Sequence, residues 1–109
     1  MNYRKVAIIV AMDKEFQQLE SLLSNKQTEE IGHGRLVTGQ LGDKEIALQK
    51  CGIGKVNSAV GATLLIQQFS PDLVISSGCA GGADAKLNVG DVVVARQCAY
   101  HDAYCGDNC

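Results

Sequence analysis

Apolar residues run without interruption through Val6-Ala7-Ile8-Ile9-Val10, a branched stretch too short for a buried helix and suited to a strand covered on both faces. The period then changes. Phe16, Leu19, Leu22 and Leu23 recur at helical spacing, so an amphipathic helix is expected to follow, ending near Ser24-Asn25. Asp13 is placed either to cap it or to lie in its first turn. Leu36-Val37-Thr38 and Glu45-Ile46-Ala47-Leu48, separated by Gly42-Asp43-Lys44, have the pattern of an antiparallel hairpin. The second of these strands runs into Cys51-Gly52-Ile53-Gly54-Lys55. A second helix is expected next, with Val56, Ala59, Val60 and Leu64 on its apolar face. Ser70-Pro71-Asp72 breaks it. Leu73 to Ser77 reads as another buried strand, and Val92-Val93-Val94-Ala95, introduced by Gly90-Asp91, as one more.

Strands alternating with helices imply βαβ units and a largely parallel sheet. Ligands of such sheets bind beyond the carboxyl ends of the strands. Three loops leave strands at that end: Ala11-Met12-Asp13, Gly52-Ile53-Gly54 and Gly78-Cys79-Ala80-Gly81-Gly82. Glycine lets main chain approach a ligand closely, although glycine after a strand is also the ordinary material of a tight turn. Two nucleotide-binding patterns are disfavoured. Asn57 stands where the dinucleotide fingerprint needs its third glycine, and the spacing before Gly54-Lys55 is wrong for a P-loop.

The chain has 109 residues, a length that fits one small domain, and no linker, repeat or low-complexity segment divides it. A formal net charge of -2 gives no broad attraction to nucleic acid or anionic membrane. No apolar run approaches the ~20 residues of a membrane span. Asp13 and Glu15 close the first apolar stretch too early for a signal peptide, so the cytoplasm is the expected compartment. Five cysteines in a reducing compartment are expected to be free thiols. Cys98, His101, Cys105 and Cys109 have a spacing that could supply zinc, but it is no standard pair-of-pairs, and ordinary thiols are the preferred reading.

Taken in order, "AIIVAMDKEF", "TGQLGDKEIALQKCGIGKVNSAVGATLLI", "PDLVISSGCAGG", "VGDVVVA" and "YHDA" resemble the bacterial 5′-methylthioadenosine/S-adenosylhomocysteine nucleosidases of the nucleoside phosphorylase superfamily. The resemblance runs from Lys5 to Ala103. It implies an α/β fold, a three-layer α/β/α sandwich with a mixed, partly closed sheet, here incomplete. It also implies hydrolysis of the bond between adenine and a 5′-thio-substituted ribose, a homodimer, an adenine nucleoside as small-molecule partner, and no metal or organic cofactor. By resemblance Glu15 is the carboxylate that activates water. Cys79, Ala80 and Gly81 form the loop beside ribose and purine, where the family more often carries serine at the position of Cys79. Met12 and Ile53 are apolar positions near the sugar and its 5′ substituent.

The chemistry can be argued beside the name. Breaking a ribosyl–adenine bond needs a base for water and an acid for the leaving purine. Glu15, at a strand–helix junction, sits where a helix N-terminus favours the ionised form a base requires. An acidic residue in a helix's first turn is equally common as mere decoration. His101-Asp102 reads as structural, His33 as a turn residue and Lys14 and Lys55 as solvent-facing. Family members are considerably longer. Their purine-contacting aromatic, ribose-binding Met-Glu pair and aspartate acid have no counterpart in these residues, so residues 1–109 are expected to be the N-terminal part of one such domain, inactive alone. The alternatives are a purine or pyrimidine nucleoside phosphorylase, another nucleoside hydrolase, or a non-catalytic nucleoside-binding module.

Overall fold

The computed structural model describes residues 2–31, 34–102 and 106; His33, Ala103, Cys105 and Cys109 lie outside the described residues. The chain divides into two compact units, Met1–Cys79 and Ala80–Cys109. In the first, the elements follow as β1 (Lys5–Val10), α1 (Asp13–Glu20), β2 (Ser24–Ile31), β3 (Gly34–Leu41), β4 (Lys44–Lys50), α2 (Lys55–Phe69) and β5 (Leu73–Ser76). The strands form one mixed sheet in the order β2-β3-β4-β1-β5. β1 is parallel to both neighbours, with Val6 opposite Ile46 and Leu73, and Ile8 opposite Leu48 and Ile75. The pairs β2–β3 and β3–β4 are antiparallel.

Alternation along β1 sorts the core into two clusters. Val6 and Val10 point with Ile46, Leu48 and Val37 toward Phe16 of α1 and the following Leu23. Ala7 and Ile9 point with Ala47 and Leu36 the other way, toward Leu65 of α2. Ala7 and Ala47 are register partners and both fully buried. Their small side chains make room for Leu65 of α2, and Gly61 is the helix residue that meets the chain just past β4. A Cβ on Gly61 would stand 2.5 Å from the Cβ of Cys51. Gln49, 1% exposed, is the buried polar side chain on this side of the sheet.

Several expectations are corrected. α1 stops at Glu20 rather than near Ser24-Asn25. Leu22 and Leu23 donate to Leu19 and Glu20, three residues back, and the Ser21 hydroxyl donates to the Gln18 carbonyl at 2.7 Å. The tight turn still buries Leu23, while Leu22 is exposed. β2, with the sequence SNKQTEEI, has no counterpart in the hydrophobic pattern, because an edge strand with little to cover can be polar along nearly all its length. In α2 the buried positions are Gly61 and Leu65, whereas Val56 and Val60 are 78% and 49% exposed. Apolar residues lie all round this helix, so periodicity does not choose its face; the close approach at Gly61 does. β5 is an edge strand, not a buried one, with Val74 and Ile75 39% and 40% exposed.

The start of β1 is tied to β5 by Asp72, whose carboxylate accepts the N–H groups of Arg4 at 3.0 Å and Lys5 at 2.8 Å. These donors hold its carboxyl below the usual range. In the second unit the described residues form turns only. Asp84 and Asp91 carboxylates accept from the main chain of Lys86 and Asn88. The strand expected at Val92–Ala95 is absent: no strand among the described residues pairs with it, and Val92, Val93 and Val94 are exposed.

Gly61→Ala provides a test of the α2 packing. In an open helix position the change would gain about 1 kcal/mol of helix propensity. Here the new methyl meets a fixed Cβ, and the expected result is a net loss of roughly 1–3 kcal/mol, read as a lower urea midpoint at unchanged slope.

Candidate active site

Because β4, β1 and β5 are adjacent and parallel, their carboxyl ends open on one edge of the sheet. Ladder bonding continues just past the strands: Cys51 N–H donates to Val10 O at 2.9 Å and Ser77 N–H to Ile9 O at 3.0 Å. The three loops therefore leave side by side. Gly52 and Gly54 take φ of 90° and 98°, the region where a side chain is strained, so glycine is required for the turn from β4 into α2.

Glu15 is the third residue of α1, whose N-terminal boundary residue, Met12, is extended and lends no side-chain cap. The Glu15 carboxylate instead folds back past the start of the helix, and Oε2 accepts the N–H of Ala11, the residue before the boundary, at 3.1 Å. It also lies against the β5 loop, where a Cβ on Gly78 would stand 3.4 Å from both carboxylate oxygens. A larger residue there would crowd the carboxylate and displace solvent from it. Glu15 is half-buried, anchored by main chain on one side and flanked by a glycine on the other.

The neighbouring charges are arranged differently. Asp13, in the same helical turn, is paired with Lys50 Nζ at 2.9 Å across the ends of α1 and β4. This hydrogen bond and the lysine's charge hold the Asp13 carboxyl below the ordinary carboxylate range. Burial pushes the Cys51 thiol up, and the Glu15 charge acts in the same direction. Lys14 is exposed.

The other residues singled out from the sequence fall as follows. Met12 and Ile53 ride on the β1 and β4 loops at this edge, both exposed. Cys79 closes the first unit as an exposed free thiol. Ala80 and Gly81 belong to the second unit and are exposed, with nothing within 4 Å of a Cβ placed on Gly81. Sequence reasoning missed Cys51, which is beside Glu15 in its electrostatics; a cysteine next to a glycine turn carries no periodic signal. Among the described residues no group of three or more His, Cys, Asp or Glu side chains converges as a metal site. A polar depression lined by Asn2, Tyr3, Arg4, Asp43 and Lys44 lies at the opposite ends of the strands, away from Met12, Glu15 and Ile53.

Residues 5–108 match the family model described as the phosphorylase superfamily. The chain belongs to that superfamily. Among solved structures it is similar to the 5′-methylthioadenosine/S-adenosylhomocysteine nucleosidase of Neisseria meningitidis in complex with methylthio-immucillin-A, at 39% identity and a TM-score of 0.77, over 81% of this chain and 38% of that one. The corresponding nucleosidase of Colwellia psychrerythraea, in complex with adenine, matches at 37% identity and a TM-score of 0.78, over 83% and 37%. The S-adenosylhomocysteine nucleosidase of Streptococcus pyogenes, in complex with 5-methylthiotubericidin, matches at 33% identity and a TM-score of 0.78, over 84% and 39%. The aligned part is thus well under half the length of these superfamily members. Its mixed sheet and flanking helices fit the nucleoside phosphorylase type of fold, with the sheet open.

The Asp13–Lys50 pair has a pH signature. A depressed folded-state pKa stabilises the fold above the unfolded value, near ~3.9, and that contribution is lost as pH falls through the folded value. Lys50→Met is expected to return Asp13 upward toward the ordinary range in a carboxyl NMR titration. The stability difference between wild type and variant should be present at neutral pH and shrink in acid.

Proposed function

We propose that this chain carries the water-activating side of a site that hydrolyses the N-glycosidic bond of 5′-methylthioadenosine and S-adenosylhomocysteine, releasing adenine and the 5′-thio-ribose. The observation that carries the reading is the Glu15 carboxylate, held by Ala11 N–H at 3.1 Å and bordered by Gly78 where the strand ends meet. A fixed, half-buried carboxylate can orient a water and take its proton as the hydroxyl oxygen bonds to the sugar's anomeric carbon. The glycosidic electron pair leaves with adenine, which needs a proton from an acid that we assign to no residue of this chain. Met12 and Ile53 offer apolar surface to the sugar and its sulfur substituent, and Cys79, Ala80 and Gly81 offer the loop beside ribose and purine. The nucleosidase identity of the similar structures supports the substrate class.

Phosphorolysis is the competing chemistry within the superfamily. Holding phosphate against the sugar calls for arginine and free N–H donors. The β1 loop, Ala11-Met12-Asp13-Lys14-Glu15, has no arginine, and Lys50 is committed to Asp13. A carboxylate beside the reacting carbon favours water over an anion. The same reading includes a homodimer, a cytoplasmic location and no cofactor; among the described residues no helix is long and apolar enough to cross a membrane.

In the full-length protein Glu15→Gln keeps the shape of the side chain and removes the base. Adenine release is expected to fall by about 10²–10⁴-fold. Wild-type product should be free thio-ribose whether or not phosphate is present; ribose 1-phosphate formed in proportion to added phosphate would assign a phosphorylase instead. Gly81→Val tests the loop, since its Cβ meets no protein atom within 4 Å. A folded variant with KM raised about tenfold or more would place substrate there; unchanged kinetics would make Gly81 only a turn.

A further inference from the structure

Val10 O and Ala11 N–H belong to one planar peptide group, and the two ends of that group are held by different elements. The N–H end holds Glu15 Oε2 at 3.1 Å. The carbonyl end is held by Cys51, at the exit of β4: its N–H donates at 2.9 Å, and its Sγ stands 3.4 Å from the same oxygen. We infer that Cys51 is a positioning residue for Glu15, its thiol acting through the Val10–Ala11 peptide to fix the direction and donor strength of the N–H that holds the carboxylate. The inference rests on the reading of Glu15 as the base.

Three features support it. First, hydrogen bonds in series polarise one another: a second donor on the carbonyl makes the N–H of the same peptide a better donor, by about 10–30% per bond. Second, the main chain that carries the sulfur is fixed: the Cys51 N–H bonds Val10 O at 2.9 Å, and the Cβ of Cys51 lies where any side chain on Gly61 of α2 would clash, so the sulfur starts from a set position within reach of Val10 O. Third, the thiol keeps its proton, because burial and the Glu15 charge both disfavour the thiolate. Sγ also stands 3.3 Å from Gly52 O, so the thiol proton is shared between two carbonyls, and only the Val10 acceptor bears on Glu15.

The role separates from simple packing by comparing two small replacements. Cys51→Ala keeps the main-chain N–H bond to Val10 O and removes only the side-chain donor; Cys51→Ser restores a donor. In the full-length protein, Cys51→Ala is expected to lower kcat for adenine release about three- to tenfold with KM within twofold, and Cys51→Ser to recover wild-type kcat. Hydrogen exchange at the Ala11 amide should quicken in Cys51→Ala and return in Cys51→Ser, with the amides of Ile8 and Leu48 unmoved. If the wild-type protein releases no adenine, the reading of Glu15 fails, and exchange at Ala11 still decides whether Cys51 controls that N–H. Ala11 exchange unchanged in Cys51→Ala, or a folded Cys51→Ser that behaves like Cys51→Ala, would overturn the inference.

Discussion

Everything functional in the first unit depends on β1 being paired in parallel on both sides. A central strand flanked by β4 and β5 in the same direction must release three chain ends at one edge of the sheet. Those ends become the loops that carry Met12 and Glu15, Ile53, and Gly78 and Cys79. The pairing is possible because β1 is apolar on both faces and has a helix for each: α1 against the Val6 and Val10 side, α2 against the Ala7 and Ile9 side. An antiparallel partner in either place would send its loop to the far edge, where the depression around Asn2 and Lys44 lies.

Of the forces on Glu15, the short-range one dominates. A hydrogen bond to a charged group contributes roughly 1.5–3 kcal/mol, against about 0.3–1 kcal/mol for a charge at a helix N-terminus. The helix favours a carboxylate anywhere in its first turn, and Asp13 shares that advantage. What distinguishes Glu15 is the Ala11 N–H, which fixes its direction, and the absence of a side chain on Gly78. Asp13 is drawn aside by Lys50. Two acids two residues apart are thus given different surroundings, one paired with a cation and one held by a main-chain N–H beside a glycine.

The fold class is legible in the sequence because its strongest signals are local. The branched run at Val6–Val10, the Gly42-Asp43 turn between β3 and β4, and the Ser70-Pro71-Asp72 break each sit where the pattern places them. Illegible features are those decided by partners distant in sequence. The polar β2 becomes a strand because β3 offers an edge, and the buried face of α2 is chosen by Cys51. Val92–Ala95 has strand composition without a strand to pair with among the described residues. For the site, a strand–helix junction near Glu15 can be read from Val10 giving way to Asp13. Its hydrogen bond to Ala11 is local, but its place beside Gly78 and its electrostatic effect on Cys51 involve loops from separate stretches of chain, and no single stretch encodes them.

The group that anchors Glu15 is an amide of the main chain, which nineteen of the twenty residue types possess equally. The side chain at position 11 is therefore open to drift over evolutionary time without loss of the anchor, with proline the exception because it has no N–H. The site's geometry is narrower than its residue alphabet. Kinship among such chains is better traced by where the first strand hands over to the first helix than by the letter found at the junction.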